Sequence, residues 1–171
     1  MSVANASNMT TALIQTADGT FTASFSESGL AGLVFPAGET VSRTPANELS
    51  AQLNSWLCLT ERALKQALAG KTPDRLPPLD LSSGTEFQRS VWNALRKIPS
   101  GQTKSYAQVA QSIDRPGAVR AVGQACGANP IPVVIPCHRV LAAGGKLGGF
   151  SSGLDWKRKL LTREGAIPAP D

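Results

Sequence analysis

The sequence has a single histidine, His138, and 3 cysteines, Cys58, Cys126 and Cys137. None of these stands at the spacing that metal-ligand sets require, so neither a metal nor a cofactor is expected. An odd cysteine number without a secretion signal argues against a disulfide framework and leaves at least one thiol free. Long apolar runs are missing too. Nothing approaches the roughly 20 residues that cross a bilayer, so no membrane partner is expected. The opening stretch MSVANASNMTTA lacks the basic and apolar regions of a signal peptide, which makes a cytoplasmic location the default expectation. Charged residues are only 17% against 42% hydrophobic, a globular balance, and 171 residues suffice for one domain or two small ones sharing an interface. The charge that is present leans one way. A formal +5 and an isoelectric point near 9.5 suit a polyanion such as nucleic acid without demanding one.

Local patterning divides the chain near residue 80, into an N-terminal unit at 1–80 and a C-terminal unit at 81–171. The runs TALIQT, FTASF and LAGLVF are separated by Ala-Asp-Gly and Ser-Glu-Ser-Gly turn chemistry, which predicts a small antiparallel meander. Between Pro45 and Gly70, an apolar stripe of Leu49, Leu53, Trp56, Leu57, Leu64 and Leu68 predicts a long helix with Gly70 as its stop. The proline-rich stretch KTPDRLPPLDLSSG cannot continue it and reads as a linker.

The second half reads as helical. Thr85 with Gln88 forms a capping-box pattern ahead of an apolar face of Phe87, Val91, Leu95 and Ile98, and Pro99 ends that helix. A second helix over SYAQVAQSI and a third from Ala118 to Ala128 flank the break Asp114-Arg115-Pro116-Gly117, a helix-turn-helix candidate. The third is rich in Ala and Gly. Gly123 and Gly127 each cost about 1 kcal/mol relative to alanine in a helix. Composition favours close helix packing over a smooth face laid in a nucleic-acid groove.

The chemistry is concentrated at Asn129-Pro130-Ile131-Pro132-Val133-Val134-Ile135-Pro136-Cys137-His138-Arg139-Val140. Prolines and β-branched residues make a stiff, buried run that delivers Cys137 at its end. A cysteine in apolar surroundings is inert unless a base or a positive charge supports its thiolate. The only histidine adjoins it. In an extended chain the two side chains face opposite ways and need not touch; a water between them could relay the proton, and Glu164 in the last helix is a candidate for holding the imidazole. From the residues alone the Cys-His pair reads either as chance packing or as catalysis. Cys58 and Cys126 read as packing.

Pro136-Cys137-His138-Arg139-Val140, preceded by Asn129-Pro130, resembles the active-site signature of O6-alkylguanine-DNA alkyltransferases. The resemblance runs from Gly84 to about Gly165 through GTEFQRSVW, GQTKSYAQVA, RAVGQACGANP and GLDWKRKLLTREG. It implies an α+β protein: a small N-terminal α/β domain, ribonuclease H-like, followed by a helical winged helix-turn-helix-type domain. It implies direct-reversal repair of double-stranded DNA containing O6-alkylguanine, by irreversible single-turnover transfer of the alkyl group to Cys137 from a flipped-out base. O4-alkylthymine is left open as a second substrate. His138 and Glu164 would activate Cys137, and Tyr106 would donate to N3 of the guanine. Arg120 would fill the space of the flipped nucleotide, with Ala121, Gly123 and Gln124 of the minor-groove helix, and Ser105, as further DNA-binding residues. Asn129 would brace the turn into the active-site loop. Val140, Ser151, Phe150 and Lys157 would line or support the substrate pocket. A monomer is implied, with an arrangement of several copies side by side on DNA left open.

Where relatives carry tyrosine before the substrate-loop serine, this chain has Phe150. The zinc that some relatives bind through N-terminal Cys and His is not expected, because that region holds only Cys58. A Cys-His-Glu hydrolase and a non-catalytic helix-turn-helix binder are the rival readings. Stoichiometry separates all of them: a hydrolase turns over, a binder transfers nothing, and an alkyltransferase stops at one.

Overall fold

The structure, a computed structural model, describes residues 9–37 and 49–169. Strands β1 (Thr10–Thr16), β2 (Gly19–Ser26) and β3 (Gly29–Val34) form an antiparallel sheet in that order, the meander expected from the turn residues. Alternation along β2 buries Phe21, Ala23 and Phe25 on one face, and β1 and β3 pack on helix α1 (Ala51–Leu68). Ser50 caps α1 by accepting from the Leu53 amide, while Thr60, Ala63, Leu64, Ala67 and Leu68 are buried along it. The expected start at Pro45 lies outside the described residues. Gly70 ends the helix at φ 75°, as its position predicts. Cys58 is exposed, which corrects its assignment to packing.

The proline-rich stretch is more than a connector. Leu30 donates to the Pro78 carbonyl at 2.8 Å, Asp80 donates back to the Leu30 carbonyl at 2.8 Å, and the Ser26 hydroxyl donates to the Asp80 carboxylate at 2.5 Å. Prolines cannot continue a helix, yet their carbonyls still accept hydrogen bonds, and here one supplies the partner that the start of β3 needs.

Helix α2 (Glu86–Leu95) carries the expected Thr85–Gln88 capping box and buries Val91, Trp92 and Leu95. Helix α3 (Tyr106–Ser112) follows a two-residue strand β4 (Lys104–Ser105), and α4 (Val119–Gly127) follows the break at 114–117. Strand β4 pairs in parallel with β5 (Val140–Leu141), so the second half is not purely helical. Helix α5 (Leu154–Arg163) is the last helix among the described residues. One apolar cluster runs through both halves, and Phe21 and Phe35 of the first meet Trp156 of the second at centroid distances of 5.8 and 4.8 Å. Among the described residues no helix is long and apolar enough to cross a membrane.

Candidate active site

Pro136 precedes a single 3₁₀ turn at Cys137–Arg139, so the chain here is not extended. The Arg139 amide closes it on the Pro136 carbonyl at 3.1 Å. Three residues per turn send the side chains of Cys137, His138 and Arg139 in three directions. Cys137 therefore meets a cavity, while His138 and Arg139 both meet α5.

Glu164 caps the C-terminal end of α5 and is the hub. His138 Nε2 lies 2.8 Å from Glu164 Oε1, and both side chains are 1% exposed. Arg139 donates from Nε to Oε2 at 3.0 Å and from Nη2 to Oε1 at 2.9 Å, a two-pronged grip on the same carboxylate. Its Nη1 donates to the Ile98 carbonyl at 2.5 Å. Burial alone would raise the Glu164 carboxyl, but the hydrogen bonds from His138 and Arg139 outweigh it and hold the group at about 2. An ionised Glu164 accepts only, so His138 Nε2 carries the proton. Burial pushes the His138 pKa down and keeps the ring neutral. It follows that Nδ1 has a free lone pair, and this buried nitrogen has no protein partner.

Asn129 organises the loop ahead of Cys137. Its Oδ1 accepts from the Ile131 amide at 3.0 Å and its Nδ2 donates to the Ile135 carbonyl at 2.8 Å. Between them Val133 takes φ 73°, a left-handed conformation costly for a β-branched residue and held by those bonds. From outside, the Leu33 amide of β3 donates to the Pro130 carbonyl at 2.9 Å. Lys157 is fully buried and ties the opposite wall, donating from Nζ to the Val140 carbonyl at 2.6 Å and the Gly149 carbonyl at 3.2 Å. Burial raises the Cys137 thiol, while Asn129 and Lys157 pull towards the thiolate.

The cavity beside Cys137 measures about 160 Å³ and is lined by Tyr106, Gly123, Cys126, Gly149, Phe150 and Ser151 among others. Burial raises the half-covered Tyr106 phenol further above its usual value, which keeps it a donor at neutral pH. Phe150 leans its edge on Phe35 at 5.8 Å, so the sheet half supports this wall too. Cys126 is buried, as expected, but it also faces the cavity, and burial raises its thiol to about 12.

On α4 the close-packing explanation of the glycines fails. A Cβ at Gly127 would meet nothing within 4 Å, and one at Gly123 only the Tyr106 ring at 3.9 Å. Val122, Ala125 and Cys126 face inward, whereas Arg120 and Gln124 are exposed and Ala121 is half-buried. Ser105 caps α3, accepting from the Gln108 amide at 3.1 Å.

Residues 86–166 match the family model for the DNA-binding domain of 6-O-methylguanine DNA methyltransferase. A methylated-DNA–protein-cysteine methyltransferase of Methanosarcina mazei is 41% identical over 143 residues, covering 81% of this chain and 85% of the relative. The chain belongs to the methylated-DNA–protein-cysteine methyltransferase family. A second methyltransferase of that name, from Methanosarcina acetivorans, is 57% identical over 83 residues, which are 48% of this chain and 53% of that relative. Several curated relatives are matched over only about half their length, the alignments spanning 53%, 52% and 56% of them. A crystal structure of Mycobacterium tuberculosis OGT in complex with DNA is 37% identical, covers 91% of this chain and 92% of that one, and has a TM-score of 0.71. The mixed α/β architecture of the described residues, five α-helices and small sheets, thus matches that of the OGT structure.

Within this family member the structure brings Cys137, Tyr106, Phe150, Ser151 and Gly123 around one cavity and joins His138 to Glu164 behind it. Arg120, Ala121 and Gln124 sit on α4 outside the cavity lining, Ser105 at the start of α3, and Asn129, Val140 and Lys157 in its supporting walls. Sequence reasoning missed Arg139. A buried arginine beside the only histidine was its signal, because such a charge demands a carboxylate and Glu164 was already the candidate.

Proposed function

We propose that the chain repairs double-stranded DNA by moving the alkyl group of O6-alkylguanine onto Cys137, once per molecule. The observation that carries this reading is the buried Cys137 at a cavity, backed by a neutral His138 whose Nε2 is bound to Glu164 at 2.8 Å and whose Nδ1 has no protein partner. A water between Nδ1 and Sγ takes the thiol proton towards the imidazole. The thiolate attacks the alkyl carbon, the C–O bond breaks, and its electron pair returns to the guanine. Tyr106 donates to N3 of the leaving base, and the proton lost by the thiol balances the one that guanine gains. The product is a thioether, which water does not cleave, so the molecule acts once.

The target oxygen is inaccessible inside a stacked duplex, and flipping the base costs a few kcal/mol. On this reading α4 enters the minor groove with its small-residue face, and Arg120 fills the space left by the base. Asn129 braces the loop, and Val140, Ser151, Phe150 and Lys157 form or support the pocket. The chain is read as an N-terminal ribonuclease H-like unit at 1–80 and a winged helix-turn-helix-type unit at 81–171. The short β4–β5 pair beside α3 and α4 supports the latter. The protein works in the cytoplasm as a monomer in solution, with copies able to stand side by side on DNA.

The test is intact mass after mixing with duplex DNA containing O6-methylguanine. A gain of one methyl group on the peptide holding Cys137, stopping at one per protein, is the expected result. Repeated release of product would make the chain a hydrolase, and tight binding without mass change a lesion sensor. Arg120→Ala should slow transfer from duplex DNA by about tenfold or more, since it must make up part of the flipping cost, while hardly changing reaction with free O6-alkylguanine. Equal losses in the two rate measurements would remove Arg120 from the flipping role.

A further inference from the structure

The end of α5 is held from the N-terminal half by groups that the chemistry above does not use. Arg163 directly precedes Glu164. Its guanidinium donates to both Asp18 carboxylate oxygens, at 2.6 and 2.9 Å, and to the Leu68 carbonyl at 2.9 Å. Lys159, one turn earlier, places Nζ 2.7 Å from the same carboxylate while lying 4.8 Å over the Trp156 ring. Asp18 sits in the tight turn between β1 and β2, yet its side chain is only 8% exposed. The backbone is gripped as well. Gly70 approaches so closely that a Cβ on it would stand 2.1 Å from the Arg163 carbonyl oxygen, and one on Gly101 would stand 3.1 Å from that of Glu164. The Ser100 hydroxyl ties these two approaches together by donating to the Gly70 carbonyl at 2.9 Å.

Apart from the Glu164 cluster itself, the ion pairs of the described residues do not look like this. Arg62–Asp74 and Lys65–Glu61 are well exposed on both sides, where such pairs contribute little. Asp18 instead is covered, takes two cations and is joined through them to backbone. What it holds is a helix terminus, the part of a helix that frays first. Glu164 is that terminal residue, and its carboxylate has to stay in register with both His138 and Arg139.

We propose that Asp18 is a positioning residue for the Cys137 site: by fixing Arg163 it holds Glu164 against His138, so that the sheet half of the chain takes part in activating the thiol. The consequence for alkyl transfer rests on the function proposed above, whereas the effect on the imidazole does not.

His138 is the only histidine, so its ring signals in an NMR spectrum of the full chain have one assignment. Asp18→Asn should move or broaden the Nε2–H signal of the carboxylate-bound ring. It should also slow alkylation of Cys137 by iodoacetamide, read on the Cys137 peptide, by about tenfold, the scale on which small displacements act on reacting groups. Asp18→Glu should recover both, and Asp74→Asn, which removes an exposed pair elsewhere, should change neither. A folded Asp18→Asn with wild-type ring signals and wild-type Cys137 reactivity, altered only in melting temperature, overturns the proposal. Should Asp18→Asn fail to fold, Arg163→Lys keeps the charge but loses the two-pronged grip and must show the same two changes; wild-type behaviour there overturns it equally. If the wild-type protein transfers no methyl group yet Asp18→Asn disturbs the ring, the function reading falls and the positioning stands.

Discussion

Cys137→Ala yields no methyl gain in intact mass after any length of exposure to duplex O6-methylguanine DNA, while the DNA stays bound. The loss is expected to be complete rather than partial, because neither remaining thiol can take over. Cys58 is exposed on α1, outside the cavity lining. Cys126 does face the cavity, but burial raises it to about 12. At pH 7 roughly one molecule in 10⁵ would then carry its thiolate, the only form that attacks carbon at a useful rate. Binding is expected to survive because the exposed face of α4 with Arg120 and Gln124, proposed above to meet the DNA, does not depend on the sulfur. A methyl group mapped to Cys126 in this variant would mean that the cavity itself, rather than the His138–Glu164 pair, activates thiols. Methyl transfer to any other residue would sink the assignment of Cys137.

Much of the fold was legible because its signals are local. The Ala-Asp-Gly and Ser-Glu-Ser-Gly turns set the meander, Gly70 ends α1, and Thr85 with Gln88 announces α2, although that helix stops at Leu95, short of the expected end at Pro99. Ser105 with Gln108 is the same capping pattern and is realised in the same way, although the residue suggested a DNA contact first. What was not legible is non-local. Strands β4 and β5 are two residues each, too short to show any period. The pairing of Leu30 with Leu79 converts a proline-rich stretch from connector to sheet partner, and no window along the chain contains both residues. At the site, Glu164 was reachable from chemistry, since an imidazole serving as base needs a carboxylate. Arg139 was not assigned because an arginine reads by default as a solvated charge, although its place in a buried run called for the same carboxylate. The structure also gives the reason why one carboxylate suffices: its two oxygens serve both neighbours of the Cys137 turn.

That sharing makes Glu164 the residue whose loss should be felt most in stability. Glu164→Gln leaves the buried Arg139 guanidinium without its counter-charge, and breaking a buried pair by removing one member costs about 3–5 kcal/mol. The pH dependence follows from the same group. Its folded-state value of about 2 lies below the 4.5 of an unfolded glutamate. The stabilisation is therefore fully present above the unfolded value and is lost as pH falls through the folded one. The separation corresponds to about 3 kcal/mol at neutral pH. Urea unfolding followed by tryptophan fluorescence should give a wild-type midpoint that drops steadily from pH 5 towards pH 3. In Glu164→Gln the midpoint should start lower and fall less over that window. Some fall should remain, because hydrogen bonds, from Arg163 first at Asp18 and from Ser26 first at Asp80, lower those two carboxyls as well. Parallel curves for the two proteins would mean that the Glu164 carboxyl does not contribute to the pH dependence. An unchanged midpoint at pH 7 would mean that the guanidinium finds water when the carboxylate is gone, and that the turn carrying Cys137 is held chiefly by Asn129.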